Sequence, residues 1–83
     1  MLKRKFERAS KRVWNLTEKP SNGTLLRLYA LYKQATQGDV GGRKPYSKGQ
    51  KEIAKWNAWF GVKGTASEDA MKSYIELVDS LLA

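Results

Sequence analysis

Leu28-Tyr29-Ala30-Leu31-Tyr32-Lys33-Gln34-Ala35-Thr36 is the most informative segment of this chain. In a helix, Tyr29, Tyr32 and Lys33 stand at positions i, i+3 and i+4, so one face carries two phenols and an ammonium. That set suits a ligand with a flat ring and a phosphate, because phenols stack and donate hydrogen bonds while the ammonium neutralises charge. The alternative is that both tyrosines are half-buried core residues beside a solvated Lys33, which is the commoner meaning of aromatic residues at helical spacing.

The apolar periodicity around this segment places it in the second of four predicted helices. Its buried stripe is predicted to consist of Leu25, Leu28, Tyr29, Tyr32 and Ala35. Ser21 or Asn22 can cap its first turn, and Gly38 is suited to end it. The preceding helix has its own apolar stripe, formed by Leu2, Phe6, Ala9, Val13 and Leu16. Pro20 lies between the two helices, in a segment that favours a turn.

A third helix is predicted after a loop over residues 39–45, where Gly41, Gly42 and Pro45 lie close together. Ser47 and Gln50 have the spacing of a capping box at its start. Its apolar side is predicted to carry Ile53, Trp56 and Phe60, with Trp59 beside them and Gly61 at the end.

The fourth helix is predicted to begin at a second capping box, Thr65 with Glu68. It has two adjacent apolar stripes, Ala70-Tyr74-Leu77-Leu81 and Met71-Ile75-Val78-Leu82. A face this wide indicates contact with more than one helix. No segment has the alternation of a strand, so the residues predict an all-α helix bundle with a single domain over 1–83.

The composition narrows the classes of function. The chain has no cysteine, which excludes disulfides and thiolate zinc sites. It also has no histidine, so the commonest metal ligand and the usual general base are missing. We therefore expect no metal site, no catalytic residue and no enzymatic activity. No apolar run reaches transmembrane length and no secretory leader is apparent, so we expect a soluble cytoplasmic protein without membrane insertion.

The charge is large and unevenly distributed. The formal net charge is +8, but residues 1–63 hold fifteen basic and four acidic residues, whereas residues 64–83 hold one and four. Such a field attracts polyanions: phosphorylated ligands, nucleic acid or anionic membrane surfaces. A basic helical domain that binds nucleic acid or an anionic membrane nonspecifically is therefore the alternative function. The first helix carries six of these cations, which we interpret as a solvated face: Lys3, Arg4, Lys5, Arg8, Lys11 and Arg12.

Several sequence blocks together are typical of one family. They are YALYKQATQGD at 29–39, AKWNAW at 54–59, KGT at 63–65 and EDAMKSYI at 68–75. FERA at 6–9 and KPS at 19–21 also fit. In order and spacing these blocks resemble the acyl-CoA-binding protein family over nearly the whole chain. The resemblance implies a four-helix bundle with up-down-down-up topology, in which a long crossover loop joins helices 2 and 3.

The resemblance also implies a function. Members bind coenzyme A thioesters of medium and long fatty acids without converting them, so we expect a monomeric carrier whose partner is the ligand, fatty acyl-CoA or coenzyme A, with no cofactor and no specific nucleic acid. Such a ligand has a polyanionic head group, a flat adenine ring and an apolar chain, which match a basic site, an aromatic face and an apolar surface.

The site residues follow from the same resemblance. Tyr29, Lys33 and Lys55 are expected around the ribose 3′-phosphate, and Tyr74 is expected to contact the ligand from the fourth helix. The rest of the second-helix segment that lines the site is Ala30, Leu31 and Tyr32. From the residues alone, Lys55 is as well explained as a surface lysine and Tyr74 as a core tyrosine.

Two departures from the family pattern concern the ligand. At Trp14 the family often has a basic residue that can reach the ligand; an indole cannot form that ion pair, but it can stack, so Trp14 is included among the binding residues. Lys48 and Gln50 stand where members tend to have apolar residues bordering the acyl-chain groove. We therefore expect weaker contact with the distal part of a long chain.

Overall fold

The computed structural model describes residues 1–83 and is entirely helical. The helices are α1 (Leu2–Arg12), α2 (Asn22–Gln37), α3 (Gln50–Phe60) and α4 (Ser67–Leu82). Short 3₁₀ turns follow α1 at Val13–Asn15 and precede α3 at Tyr46–Lys48. The predicted all-α class and the four helices are confirmed. None of these helices is both long and apolar enough to cross a lipid bilayer.

Helices α2 and α3 run side by side in the same direction. Near the middle of both, the Lys55 Nζ lies 5.0 Å from the ring centre of Tyr29. Near their carboxyl ends, the Trp59 indole N–H donates to the carbonyl oxygen of Gly38 at 2.8 Å. Because the contacts advance along both helices together, α2 and α3 are parallel. The segment 38–49 must therefore return along the bundle to join them, and it is the predicted crossover.

Helices α1 and α4 are parallel to each other and opposite in direction to α2. Along this pair, Phe6 contacts Tyr74 with ring centroids 5.1 Å apart, and one to two turns later Arg12 pairs with Asp79 at 3.0 Å. The same Phe6, early in α1, stacks on Tyr32, late in α2, at 5.5 Å. The topology is therefore up-down-down-up.

Local signals define both ends of α2 as predicted. The Ser21 hydroxyl accepts a hydrogen bond from the Thr24 N–H at 3.2 Å, which satisfies one free donor of the first turn. Asn22, the alternative cap, is the first helical residue. At the other end Gly38 has a φ of 81°, a left-handed value that glycine adopts without Cβ strain.

The buried face of α2 is wider than predicted and is rotated. Leu28 and Ala35 are buried as expected, but Tyr32 is 42% exposed. The stripe assignment was wrong for this tyrosine. The buried positions also include Ala30, Leu31 and Gln34. The reason is that α2 contacts both α3 and α4, so the helix is covered on two sides and its Tyr29–Tyr32 edge stays partly open.

Helix α3 is peripheral, and none of its residues is fully buried. Trp56 is half-buried and stacks on Phe60 at 5.2 Å, while Phe60 itself is 51% exposed. Trp56 and Phe60 thus share one side of α3 as predicted, but that side is only partly covered. Trp59 is half-buried, and Gly61 follows the last helical residue as predicted.

Neither predicted capping box forms. Ser47 belongs to the preceding 3₁₀ turn, so it does not cap α3. The helix begins after Gly49, which has no side chain that could cap it. Helix α4 begins later than predicted, with Ala66 at the N-cap, so Thr65 is outside the helix. The Thr65 carbonyl instead accepts the Gln34 amide at 2.9 Å. The Thr65 N–H, which a capping box would pair with the Glu68 side chain, donates to the Val62 carbonyl at 3.1 Å.

The hydrophobic core lies where α1, α2 and α4 meet. Its buried members are Phe6, Ala9, Leu28, Leu31, Ala35, Ala70, Tyr74 and Val78. Both apolar stripes of α4 pack on this cluster, and α4 contacts α1 as well as α2. The expectation that so wide a face meets more than one helix is confirmed.

A polar network around the buried Gln34 closes the end of the bundle where α2 stops and α4 starts. Gln34 is only 1% exposed, and its amide donates to the Asp39 carboxylate at 2.8 Å and to the Thr65 carbonyl. The Asp39 carboxylate also accepts the Gly64 N–H at 2.8 Å. The network thus ties the crossover segment and the α3–α4 turn to α2.

Asp39 is expected to make stability pH-dependent. The Gly64 N–H, and then the Gln34 amide, lower the pKa of the Asp39 carboxyl below its ordinary value of 3.8. A lowered folded-state pKa gives stability that is present above pH 3.8 and is lost as the pH falls through the folded value. Asp39→Asn should therefore lower the melting temperature at pH 7, and the difference from the parent should shrink in acid.

The measurement is thermal unfolding by circular dichroism from neutral pH into the acid range. Glu76→Gln is the control, because this exposed carboxylate makes no ion pair. If Asp39→Asn lowers the melting temperature by the same amount in acid as at pH 7, the assigned role of the carboxylate is contradicted.

Candidate functional site

Two grooves open on either side of the Tyr29 edge of α2. The first, which we call the α1–α2 groove, has a volume of about 870 Å³. The second, the α2–α3 groove, has about 550 Å³. Both are lined by Lys19, Leu25 and Tyr29. The two grooves therefore adjoin at these residues, on either side of Tyr29.

Tyr29 is the point where the two predicted lysines converge. The Lys55 Nζ lies 5.0 Å from the centre of the Tyr29 ring, and the Lys33 Nζ lies 5.8 Å from it. Lys33 also lies 5.7 Å from the Trp59 ring. The aromatic faces hold both ammonium groups by cation–π attraction. The structure thus brings together three residues that lie on separate turns and helices, and the cluster is suited to an anionic group.

Lys55 has an anionic partner on its own helix. Its Nζ lies 3.1 Å from the Glu52 carboxylate, and both side chains are partly exposed. A pair this exposed contributes little to stability. A phosphate that binds Lys55 has to compete with Glu52, and loss of Lys55 would leave that carboxylate beside the anion site.

The α1–α2 groove has an aromatic floor. Tyr32 and Tyr74 both line it, with ring centroids 6.0 Å apart, and Phe6 packs against both rings. Tyr74 is only 5% exposed, so it serves the core as well as the groove. Burial, and then the neighbouring Tyr32, raise the pKa of the Tyr74 phenol above its ordinary 10.0. Its hydroxyl is therefore protonated and able to donate.

Trp14 stands at the rim of the same groove. It lines the groove from the 3₁₀ turn that follows α1, yet 85% of it is exposed. An indole held this far from the core has a free face that is available to a ligand. Lys11 and Lys19 line the groove with it, so the rim is basic.

Three of the predicted site residues line neither groove: Ala30, Leu31 and Lys33. Lys33 contacts the rings of Tyr29 and Trp59 instead. Ala30 and Leu31 are each 2% exposed. They pack inside the bundle and hold the Tyr29–Tyr32 edge in place.

Some groove residues were not singled out from the sequence. They are Lys19 at the junction and, in the α2–α3 groove, Leu26, Ala54 and Lys51. A signal existed for one of them, because Leu25 and Leu26 are adjacent and a single apolar stripe cannot contain both. For the others, only the packing of α3 on α2 shows the role. No group of three or more acidic side chains lies close enough together to hold a metal ion.

The model of the family described as "Acyl CoA binding protein" matches residues 3–78. The chain belongs to the acyl-CoA-binding protein family. The acyl-CoA-binding protein of Saccharomyces cerevisiae is 51% identical over 83 residues, covering 100% of this chain and 95% of the relative. Acyl-CoA-binding domain-containing protein 6 of Arabidopsis thaliana is 51% identical over 81 residues, covering 98% of this chain and 88% of that protein.

The structural likeness agrees with the family assignment. The crystal structure of Oryza sativa acyl-CoA-binding protein 2 superposes with a TM-score of 0.93 at 40% identity, covering 99% of this chain and 91% of that one. The solution structure of the Babesia bovis acyl-CoA-binding protein has a TM-score of 0.80 at 39% identity, covering 98% and 93%. The resemblance found in the sequence blocks is confirmed.

Proposed function

We propose that this protein binds fatty acyl-CoA esters one to one and carries them without catalysis. The observation that supports this most directly is the convergence of Lys33 and Lys55 on Tyr29, at the junction of the two grooves. The head group of the ligand is a polyanion, so its phosphates are attracted to paired cations. The ribose 3′-phosphate is assigned to this cluster.

The two grooves differ in lining, and this assigns the two ends of the ligand. The α1–α2 groove presents aromatic rings, from Tyr29, Tyr32, Tyr74 and Trp14, and an adenine ring stacks on such faces. The α1–α2 groove also has aliphatic walls, from Val13, Leu16 and Leu28, whereas the α2–α3 groove presents Leu25, Leu26 and Ala54 together with lysine stems. The acyl chain is assigned to the α2–α3 groove because Gln50 lines it, at a position where the family resemblance places the border of the acyl-chain groove. Each methylene buried there is worth about 0.8 kcal/mol. Ala30 and Leu31 support the site from within.

The same assignment extends to the way the protein works. The protein acts as a monomer, and residues 1–83 act as one acyl-CoA-binding domain. Binding buffers the free thioester and delivers it to enzymes in the cytoplasm. No cofactor takes part, since the ligand is itself the cargo.

The direct test is calorimetric titration with palmitoyl-CoA, coenzyme A and palmitate. Palmitoyl-CoA should bind most tightly, because it alone fills both grooves and the cation cluster. Coenzyme A should bind more weakly, and palmitate weakest. Equal affinities for palmitate and palmitoyl-CoA would overturn the assignment of the head group to the cluster at Tyr29.

The altered loop is expected to limit chain-length preference. Gln50 lines the α2–α3 groove, and Lys48 lies two residues before it. A polar border covers distal methylenes poorly, and each uncovered methylene forfeits about 0.8 kcal/mol, or about fourfold in affinity. The affinity gained per added carbon should therefore level off for the longer chains.

The measurement is an affinity series from octanoyl-CoA to stearoyl-CoA for the parent and for Lys48→Leu/Gln50→Phe. The variant should gain affinity for the longest chains and remain unchanged for the shortest. A variant that gains nothing with stearoyl-CoA would show that the loop does not limit contact with the chain.

A further inference from the structure

The outer face of α1 carries a dense cluster of cations, five of which have no ion-pair partner. Its six basic residues are Lys3, Arg4, Lys5, Arg8, Lys11 and Arg12, all exposed. Only Arg12 has an ion-pair partner, Asp79 on α4. Glu7 is the single acidic residue of the helix. We call this surface the α1 basic face; it is separate from the lysine cluster at Tyr29.

In the first turn and along the Arg4–Arg8–Arg12 row this arrangement opposes the stability of the helix, although Lys11 and Arg12 in the last turn are favourably placed for the helix dipole. The first turn of α1 has no acidic residue and contains Lys3 and Arg4, although the amino end of a helix dipole disfavours cations. Arg4, Arg8 and Arg12 follow one another at i, i+4 and i+8, where like charges repel. Local rules that are broken in this way, without an internal compensation, point to an external partner that supplies the missing negative charge.

Trp14 indicates what kind of partner this is. It lies directly after α1 and is 85% exposed. A tryptophan next to a basic helical face is typical of surfaces that lie on a lipid headgroup layer, since the indole prefers that interface. With Lys11, the same Trp14 lines the α1–α2 groove. The basic face and the groove mouth therefore meet at one edge of the molecule.

We propose that the α1 basic face, with Trp14, docks on the surface of an anionic bilayer. The cations lie against the lipid phosphates and carboxylates, the indole enters the headgroup layer, and the groove mouth is held at the membrane, where a lipid-like cargo is exchanged. A nucleic acid would also neutralise the cations, but its binding would not explain the exposed Trp14 indole beside the groove. The docking is peripheral. Membrane binding itself does not depend on the proposed carrier function, but the exchange of cargo at the membrane rests on it.

The test is co-sedimentation with vesicles of phosphatidylcholine alone or mixed in equal parts with phosphatidylserine. The protein should bind the mixed vesicles and not the neutral ones, and salt should weaken the binding. Each cation near an anionic bilayer contributes about fivefold in partitioning, so Arg4→Gln/Arg8→Gln should lower binding by roughly twenty-five-fold. The matched control, Arg43→Gln/Lys72→Gln, removes the same charge from the crossover segment and α4 and should lose much less.

Two further measurements separate this proposal from a structural role. Arg4→Gln/Arg8→Gln should raise the melting temperature slightly while it lowers vesicle binding, because the repulsion within α1 is relieved. The vesicles should shift the tryptophan emission to shorter wavelength in the parent but not in Trp14→Phe. The palmitoyl-CoA affinity of Arg4→Gln/Arg8→Gln, measured by calorimetry without vesicles, should equal that of the parent protein.

The proposal is overturned if the protein does not bind the mixed vesicles, or if the two double variants lose binding equally. It is also overturned if a DNA duplex competes fully with the vesicles and Trp14 emission does not shift, which would indicate a nucleic-acid surface. Failure of palmitoyl-CoA binding in every variant, with vesicle binding intact, would instead count against the proposed carrier function alone.

Discussion

Lys55→Ala is expected to weaken palmitoyl-CoA binding by more than tenfold, the largest effect of any single change at the site. A hydrogen bond to a charged group is worth about 1.5–3 kcal/mol, and about 1.4 kcal/mol corresponds to tenfold. The affinity loss for Lys55→Ala has a second cause, because the Lys55 Nζ neutralises the Glu52 carboxylate at 3.1 Å. Without Lys55 that carboxylate would repel the phosphate. Lys33 neutralises no such carboxylate, so Lys33→Ala should weaken palmitoyl-CoA binding less, by about tenfold.

Glu52 provides the matched control for this prediction. Glu52→Gln should strengthen binding slightly, because the phosphate no longer competes for Lys55. In Lys55→Ala/Glu52→Gln part of the lost affinity should return. The measurement is calorimetry with palmitoyl-CoA at constant ionic strength, and circular dichroism should show unchanged helicity, since Lys55 and Glu52 are not buried.

The contrasting position is Lys5, an exposed residue of α1 that lines neither groove. Lys5→Ala should change the affinity for palmitoyl-CoA by much less than either site lysine. Equal losses for Lys5→Ala, Lys33→Ala and Lys55→Ala would mean that diffuse electrostatics, and not the cluster at Tyr29, hold the ligand.

Phe6→Ala is expected to cost about 3–5 kcal/mol of unfolding free energy, the usual range for a buried phenylalanine. Phe6 is 4% exposed, and its ring packs on Tyr32 at 5.5 Å and on Tyr74 at 5.1 Å. Removing the ring would leave a cavity where α1, α2 and α4 meet. Since small proteins have only about 5–15 kcal/mol in total, this variant should be close to unfolding at moderate temperature.

Phe60→Ala is the matched comparison, because it removes the same side chain from a surface. Phe60 is 51% exposed and stacks only on Trp56 among the aromatic residues. Its loss should cost about 1 kcal/mol or less. Urea unfolding of the two variants, with m-values compared to the parent, provides the measurement. Similar midpoints for the two would contradict the placement of the core between α1, α2 and α4.

Phe6 also connects stability to the site. It packs against two tyrosines of the α1–α2 groove, so its removal should weaken coenzyme A binding even where the protein is still folded. Phe6→Leu keeps most of the apolar volume but not the ring contacts. It should therefore retain most of the stability while still lowering the affinity, because Tyr32 and Tyr74 lose the aromatic ring that packs against them.

Much of the local structure was predictable, because helix periodicity and end signals depend on residues close together in the chain. The four helices, Ser21 as a cap, Gly38 as a stop and Gly61 after α3 are confirmed. The family blocks added the topology, which periodicity cannot provide. The capping boxes failed, since Gly49 and Ala66 precede the helices in place of the predicted Ser47 and Thr65.

The sequence by itself determined the helices, the segregation of charge and, through the family blocks, which side chains to examine. Only the tertiary structure decided what each of those side chains does. Tyr29 and Tyr32 belong to one helical face, yet the packing of α2 against α3 and α4 leaves Tyr32 partly open and buries Ala30 and Leu31. Lys55 meets Tyr29 only because α2 and α3 are parallel. Such contacts join residues far apart in the chain, where periodicity carries no information.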